Sequence, residues 1–207
     1  MEATSQSISD ARLAEVLRSA WGELERAALD RRHGFHVPTF ATVGVDGGPC
    51  ARSVVLRRVL REAGEIHCHT DVRSAKVAEI AREPRVAWHF YAPERKLQLR
   101  VAAIAEFQST GARADEGWAR SALSSRRCYL APRAPGSVCE APSPNLPDGI
   151  LDRRPTEEET LPARANFGVV ITRAVEIDWL YLASEGHQRA RFVRGADGSW
   201  SGCWLEP

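Results

Sequence analysis

Short apolar stretches separated by tight glycine turns recur along this sequence, and this pattern restricts the chain to an antiparallel sheet. Residues 37–45 and 50–60 flank Asp46-Gly47-Gly48, where glycine tolerates the positive φ angles of a hairpin turn. The predicted strands cover residues 37–45, 50–60, 65–70, 85–91, 96–107, 167–182, 188–194 and 199–205. Tight turns join most neighbouring strands, and seven or eight antiparallel strands of this length usually curl into a barrel.

Three helices are predicted around these strands. Apolar residues recur at helical spacing from Ser9 to about Arg31, with Ser9 as the expected N-cap. A short helix capped by Asp71 is expected before Pro84, and residues 111–127 are predicted to be helical. The pattern therefore predicts a mainly β fold with flanking helices, in the α+β class.

A proline-rich segment interrupts the regular pattern between the last predicted helix and the last three strands. Residues 131–165 contain seven of the 12 prolines and an acidic run, so regular structure is not expected over most of it. We expect residues 1–207 to form a single domain with this segment as an irregular excursion, because a barrel with attached helices can accommodate such a length.

The charge balance and the cysteines exclude several classes of function. Formal net charge is +1, so no overall field favours nucleic acid or a membrane surface as a partner. No apolar run approaches the roughly 20 residues of a membrane span, and residues 1–6 lack the features of a signal peptide, so a cytoplasmic location is expected. The five cysteines are scattered, which predicts reduced and mostly buried thiols in place of a zinc site or a disulfide framework.

Charged and polar side chains on predicted strands indicate an anion site. Arg52 and Arg57 surround a Val-Val-Leu centre, and Ser74 and Lys76 stand at a predicted helix start. Guanidinium groups bind phosphate bidentately, an ammonium adds a point charge, and free N–H groups at a helix start favour anions. Taken alone, such arginines are more often solvated strand residues. Together with Ser74 and Lys76 they favour a phosphate site.

The order of these residues resembles the flavin-binding pattern of the pyridoxamine 5'-phosphate oxidase family. The matching elements are Arg52-x-Val-Val-Leu-Arg57, His69-Thr70, Ser74-x-Lys76, Gln98, and Trp179 ten residues before Arg189. The resemblance extends from about Phe40 to Pro207, apart from the proline-rich segment. It implies a homodimeric, antiparallel Greek-key split β-barrel that binds FMN in two clefts shared between the subunits.

The resemblance also implies which residues meet the cofactor. Lys76 and its neighbour would meet the FMN phosphate, Gln98 would face the pyrimidine edge, and Trp179 and Arg189 would come from the other subunit. The full set of implied cofactor-binding residues is Arg52, Ser53, Val54, Val55, His69, Thr70, Ser74, Ala75, Lys76, Gln98, Trp179 and Arg189. Trp179 alone is more often a core residue.

The substrate half of the family pattern is less well preserved. Arg57 stands where the oxidases of the family have a lysine, and Glu185-Gly-His187 stands where they have an Arg-x-His pair. Glu185 reverses a charge that would meet a substrate phosphate, which predicts poor turnover of pyridoxamine 5'-phosphate. Tyr129 and Arg133, with Ser137, show the spacing of a further substrate motif of the family but lie farther along the chain than expected.

The expected function is an FMN-dependent oxidoreductase that transfers a hydride from a small-molecule substrate to flavin N5. The resemblance requires no side chain as a catalytic acid or base. Two alternatives stay open at this point: a flavin-binding protein without turnover, and a barrel that binds another ligand such as haem. His67 and His69 share one face of a strand and can be imagined as metal ligands with His89, but no carboxylate or third ligand stands at recognisable spacing, so no metal site is expected.

Overall fold

A computed structural model describes Ile8 and residues 10–207. The predicted N-cap Ser9 and residues 1–6 lie outside the described residues. The helices are α1 Ala11–Leu29, α2 Ala75–Arg82, α3 Ala112–Ala119, α4 Leu123–Arg126 and α5 Glu157–Thr160. The strands are β1 Thr39–Val43, β2 Pro49–Ser53, β3 Leu56–Leu60, β4 Glu65–Asp71, β5 Arg85–Ala92, β6 Leu97–Gln108, β7 Phe167–Tyr181, β8 Gln188–Arg194 and β9 Trp200–Leu205.

The strands form one antiparallel sheet, as the sequence predicts. The order is β2-β1-β5-β6-β7-β4-β3, and β8 pairs with the second half of β7 and with β9. The outermost strands of this order, β2 and β3, are separated in the chain only by Val54 and Val55. The sheet must therefore curl until its two edges meet at this dipeptide, although no ladder closes it laterally among the described residues.

The long helix α1 packs against the sheet, mainly against β3. Asp10 caps it, because its carboxylate accepts a hydrogen bond from the Arg12 N–H at 2.8 Å. Its buried stripe includes Leu17, Trp21 and Leu24, which pack with the main hydrophobic core of the strands. No helix within residues 10–207 is long and apolar enough to cross a membrane.

Hydrogen bonds join distant parts of the chain both in the core and at the surface. In the core, the Trp88 indole N–H donates to Thr172 Oγ1 at 3.0 Å, and the Thr172 hydroxyl donates to the Ile66 carbonyl at 2.7 Å. At the surface, the Trp204 indole N–H on β9 donates to the Asp10 carboxylate at 2.9 Å. The last strand is therefore attached to the first turn of α1.

The structure corrects several sequence predictions. Ser74, not Asp71, is the N-cap of α2, because the Asp71 carboxylate binds Arg73 instead. Residues 111–127 form two short helices, since the Ser121 hydroxyl donates to the Gly117 carbonyl where α3 ends. Of the five cysteines only Cys68 is fully buried, whereas the sequence predicted mostly buried thiols.

The proline-rich segment is irregular as far as Pro155, as predicted. A capping box at Thr156 and Glu159 then starts α5. An arginine between β4 and α2 holds the start of the segment: the Arg73 guanidinium donates to the Ala131 carbonyl at 2.9 Å and to the Pro132 carbonyl at 3.3 Å. Without regular secondary structure, these side-chain bonds satisfy backbone groups that would otherwise lack partners.

Candidate functional site

The candidate site has two regions rich in positively charged side chains, and they lie on opposite faces of strand β4. Successive residues of a strand point to opposite faces, so Cys68 and Thr70 share one face while His67 and His69 share the other. Cys68 is fully buried in the main core, and His67 and His69 line a cavity outside it. His69 and Thr70, which are adjacent in the sequence and were both predicted to contact the cofactor, therefore face different environments.

Three predicted cofactor residues come together at the start of α2. The Lys76 ammonium donates to Thr70 Oγ1 at 2.9 Å and to Ser74 Oγ at 2.7 Å. An ammonium has three donors, and the third has no partner among the described residues. Burial lowers the pKa of Lys76, so an anion beside it would favour the charged form. We call Thr70, Ser74 and Lys76 the Lys76 group.

The geometry of the Lys76 group fits a phosphate. Ser74 is the N-cap residue of α2, yet its side chain makes no capping hydrogen bond. The first N–H groups of a helix attract anions, and here two hydroxyls and an ammonium stand beside them. Ala75, the first residue of the helix, is exposed and places no bulky side chain over this end.

The Arg52 guanidinium forms an ion pair with a carboxylate of the same chain. Its guanidinium donates to Glu79 Oε2 at 2.8 Å and also to the Thr42 hydroxyl, and Thr42 itself donates to Glu79 at 2.5 Å. The Glu79 side chain is only 7% exposed, so this ion pair attaches strand β2 to helix α2. The charge of Arg52 is thus largely compensated before any ligand binds.

The other predicted cofactor residues between Arg52 and Arg57 differ in their exposure to solvent. Ser53 is exposed, and Val54 and Val55 are partly buried where the chain passes from β2 to β3. The Val54 N–H donates to the Pro38 carbonyl at 3.1 Å. This backbone donor is therefore already used.

Arginines line a cavity of about 270 Å³ on the outer face of β4. The charged and polar residues that line it are Arg31, His36, Arg57, Arg58, His67, His69, Arg113, Arg120 and Ser121. Arg57 and Arg58 both reach it because the register of β3 against β4 shifts between Leu56 and Arg58. The side-chain Nε of Arg57 is buried and has no hydrogen-bond partner among the described residues. We call this space the arginine cavity.

Two carboxylates compensate most of the guanidiniums of the arginine cavity. Glu116 on α3 accepts from Arg58 at 2.6 Å and from Arg120 at 3.4 Å. Glu65, with a side chain only 4% exposed, accepts from Arg113 at 2.6 Å and contacts His67 Nε2 at 3.0 Å. Burial raises the pKa of Glu65, but the hydrogen bonds from Arg113 and His67 outweigh it and leave the pKa lowered.

His69 is neutral in this environment. Burial, followed by the positive charge of Arg57 and by His67, lowers its pKa to about 3. The Ser121 hydroxyl lies 3.3 Å from its Nδ1. Helix α3 can approach this closely because residue 117 is glycine: a Cβ there would lie 2.9 Å from Val169 Cγ2 and 3.3 Å from His69 Nε2.

The two cationic regions influence a common residue. The charges of Lys76, Arg57 and Arg52 all act on the Cys68 thiol, although burial dominates and raises its pKa to about 12. The Lys76 group and the arginine cavity therefore flank the same short stretch of β4.

The remaining predicted cofactor residues lie farther along the sheet. Gln98 on β6 contacts His89 Nε2 at 3.2 Å through its side-chain oxygen. Trp179 on β7 is partly buried and stacks on Tyr181. Arg189 on β8 donates two hydrogen bonds to the Asp178 carboxylate, at 2.8 and 3.2 Å. Among the described residues, none of these side-chain contacts involves the Lys76 group.

The structure does not bring the predicted substrate residues together. Glu185 and His187 are exposed in the loop between β7 and β8, where Glu185 accepts from the Ser184 hydroxyl at 2.6 Å. Tyr129 is buried against Trp118 and Phe167, and burial raises its pKa. Arg133 is exposed, and its backbone pairs with the Asn145 side chain. Of the predicted substrate residues only Arg57 lines the arginine cavity.

Sequence reasoning missed Arg58, Arg113 and Arg120. A signal was present for two of them, because Arg113 and Arg120 are seven residues apart in a predicted helix and therefore share one face. Arg58 gave no such signal. Regular strand alternation would place it on the face opposite Arg57, and only the register shift in β3 overrides that rule.

Comparisons with known proteins agree on one family. The family model for the pyridoxamine 5'-phosphate oxidase FMN-binding domain matches residues 18–108. The pyridoxine/pyridoxamine 5'-phosphate oxidase of Cupriavidus pinatubonensis is 31% identical over 181 residues, which cover 82% of this chain and 78% of the relative. Pyridoxine/pyridoxamine 5'-phosphate oxidase 2 of Arabidopsis thaliana is 25% identical over 195 residues, covering 89% and 93%.

A solved structure shares the fold over nearly its whole length. A pyridoxamine 5'-phosphate oxidase-related, FMN binding protein from Nostoc punctiforme superposes with a TM-score of 0.72 at 22% identity, covering 99% of this chain and 100% of that one. This likeness confirms the predicted split-barrel fold, in which the antiparallel sheet is not closed. By sequence and by fold, the chain belongs to the pyridoxamine 5'-phosphate oxidase family of FMN-binding proteins.

Proposed function

We propose that this protein is an FMN-dependent oxidoreductase that oxidises or reduces a small anionic molecule. The observation that carries the proposal is the Lys76 group, whose third ammonium donor has no partner among the described residues and stands beside two hydroxyls at a helix start. In this proposal Lys76, Ser74 and Thr70 hold the FMN phosphate. The chemistry that FMN supplies when bound is acceptance of a hydride at N5 and return of the electrons to oxygen or another acceptor.

The arginine cavity supports an anionic substrate. It lies across β4 from the Lys76 group, and Arg57 offers a guanidinium with a buried, unpartnered Nε among the described residues. A guanidinium in such a site orients a carboxylate or a phosphate through paired hydrogen bonds. Because the pKa of His69 is lowered to about 3, His69 adds polar contacts at neutral pH without adding charge.

We also propose that two copies of the chain share each flavin site. Trp179 and Arg189 lie on the β7–β8 part of the sheet, where they can complete a site on a neighbouring subunit. The outer face of β5 and β6 offers apolar surface for such an assembly, since Tyr91 and Ile104 are 46% and 44% exposed there and the Ala87–Ala102 pair lies between them. Light scattering and flavin content should therefore fall together on dilution, whereas a stable monomer with full flavin occupancy would contradict sharing.

The decisive experiment is an anaerobic titration of the purified protein followed by its absorbance spectrum. A bound FMN that bleaches on addition of pyridoxamine 5'-phosphate, pyridoxamine, NADH or NADPH, and recovers with air, is the expected result for at least one donor. A flavin that none of these compounds reduces would favour a flavin-binding protein without turnover. Purified protein that binds no added FMN would refute the proposal itself.

A further inference from the structure

The guanidiniums of the arginine cavity are unequally compensated. Arg113 is paired with Glu65, and Arg58 and Arg120 share Glu116. Among the described residues, Arg57 and Arg31 are the lining arginines without a carboxylate within ion-pair distance. The free positive charge is therefore concentrated at two of the five arginines.

Glu116 holds its position between two of these arginines. It lies on the face of α3 that carries Arg113 and Arg120, and its side chain is 42% exposed. One carboxylate oxygen meets Arg58 and the other meets Arg120, so both guanidiniums are occupied by a group that does not itself line the cavity. The hydrogen bond from Arg58 lowers the pKa of Glu116, which keeps this carboxylate ionised at neutral pH.

An incoming anion must compete with this arrangement. A phosphate dianion needs more than one free guanidinium to balance its charge, and it would stand near the Glu116 carboxylate. A carboxylate carries one charge and matches the two parallel donors of a single guanidinium. Arg31 is exposed, so water screens its charge, whereas the partly buried Arg57 can provide such a partner without displacing Glu116.

We propose that Glu116 is a positioning residue that sets substrate charge: by holding Arg58 and Arg120 it makes the arginine cavity select a singly charged carboxylate over a phosphate. This inference rests on the proposed function, because it concerns the substrate of the same site. The selectivity then depends on repulsion by the Glu116 carboxylate as well as on attraction by Arg57.

The test compares benzoate with phenyl phosphate, two probes that share a ring and differ in charge. Calorimetric titration of the flavin-loaded protein should show tighter binding of benzoate. In Glu116→Gln, phenyl phosphate should bind about fivefold tighter while benzoate changes much less, since one partly exposed charge is removed. Glu116→Asp should keep the preference for benzoate, and Arg57→Gln should weaken both probes.

A matched control is Glu158→Gln, which removes an exposed carboxylate on α5 away from the cavity. Thermal unfolding confirms that each variant is folded. Tighter binding of phenyl phosphate by the unmodified protein, or an equal gain for both probes in Glu116→Gln, would overturn the inference. If the protein binds no flavin but still prefers benzoate, the proposed function would be contradicted and this inference would not.

Discussion

The Lys76 group and the arginine cavity lie on opposite faces of β4, and they differ in how their charge is balanced. The Lys76 ammonium is surrounded by hydroxyls and keeps one unpartnered donor among the described residues. The guanidiniums of the cavity are mostly paired with Glu65 and Glu116. An uncompensated charge gives affinity for an anion, whereas a compensated one gives discrimination between anions. The first suits a constant cofactor phosphate and the second a selected substrate.

The largest effect is expected from removing the uncompensated charge. Lys76→Ala should weaken FMN binding by about ten- to a hundredfold, because a charge-assisted hydrogen bond contributes roughly 1.5 to 3 kcal/mol. Riboflavin binding should be nearly unchanged, since it lacks the phosphate. Fluorescence titration with both flavins measures the difference. Arg82→Ala, on the exposed last turn of the same helix, is the control. Equal losses for FMN and riboflavin would mean that Lys76 is structural.

A smaller effect on folding is expected from the compensating carboxylate of the cavity. Glu65→Gln should lower the free energy of unfolding at pH 7 by about 1 to 3 kcal/mol, because Arg113 and His67 lose a buried ionised acceptor. The pKa of Glu65 is lowered from 4.5 in the fold, so its contribution is present above pH 4.5 and is lost as the pH falls through the folded value. The variant should therefore lose less stability than the unmodified protein below pH 4.5.

Urea unfolding from pH 7 to pH 3 measures this contribution. Glu62→Gln serves as the control, because Glu62 is exposed three residues earlier. Parallel pH profiles for Glu65→Gln and the unmodified protein would show that Glu65 is not held ionised by its partners. The cavity would then carry more free positive charge than its geometry indicates.

The smallest effect is expected at the exposed loop between β7 and β8. Glu185→Arg should improve binding of pyridoxamine 5'-phosphate by about two- to fivefold, since an exposed charge in water contributes at most about 1 kcal/mol. Glu158→Arg makes the same charge change on α5 and should have no effect. Efficient turnover of pyridoxamine 5'-phosphate by the unmodified protein would refute the view that Glu185 disfavours this substrate.

The features that the sequence predicted depend on local spacing. Strand alternation and glycine turns predicted the antiparallel sheet, and Thr70, Ser74 and Lys76 fall within seven residues, so their proximity follows from one strand end and one helix start. The compensation of Arg52 could not be predicted in this way. Its partner Glu79 is 27 residues away, and the contact exists only because α2 packs against β1, the neighbour of β2.

Two departures from regular geometry explain why the sequence did not predict the arginine cavity and its surroundings. The register shift in β3 directs both Arg57 and Arg58 to it, against the alternation of a regular strand. The end of α3 near Ser121 turns the chain so that Tyr129 packs into a small core beneath that helix. Tyr129 is therefore buried while Arg133 is exposed, and neither is among the residues that line the arginine cavity. Each departure depends on packing between segments distant in the sequence.

The bond between the Trp204 indole and the Asp10 carboxylate has a consequence for the order of folding during synthesis. These residues are 194 positions apart, so at about 5 to 20 residues per second a ribosome needs roughly 10 to 40 s to produce the second after the first. Throughout that interval α1 lacks its contact with β9, and its apolar stripe has no completed sheet to cover. Helix α1 is thus an apolar segment that stays exposed for this interval and that a chaperone could bind.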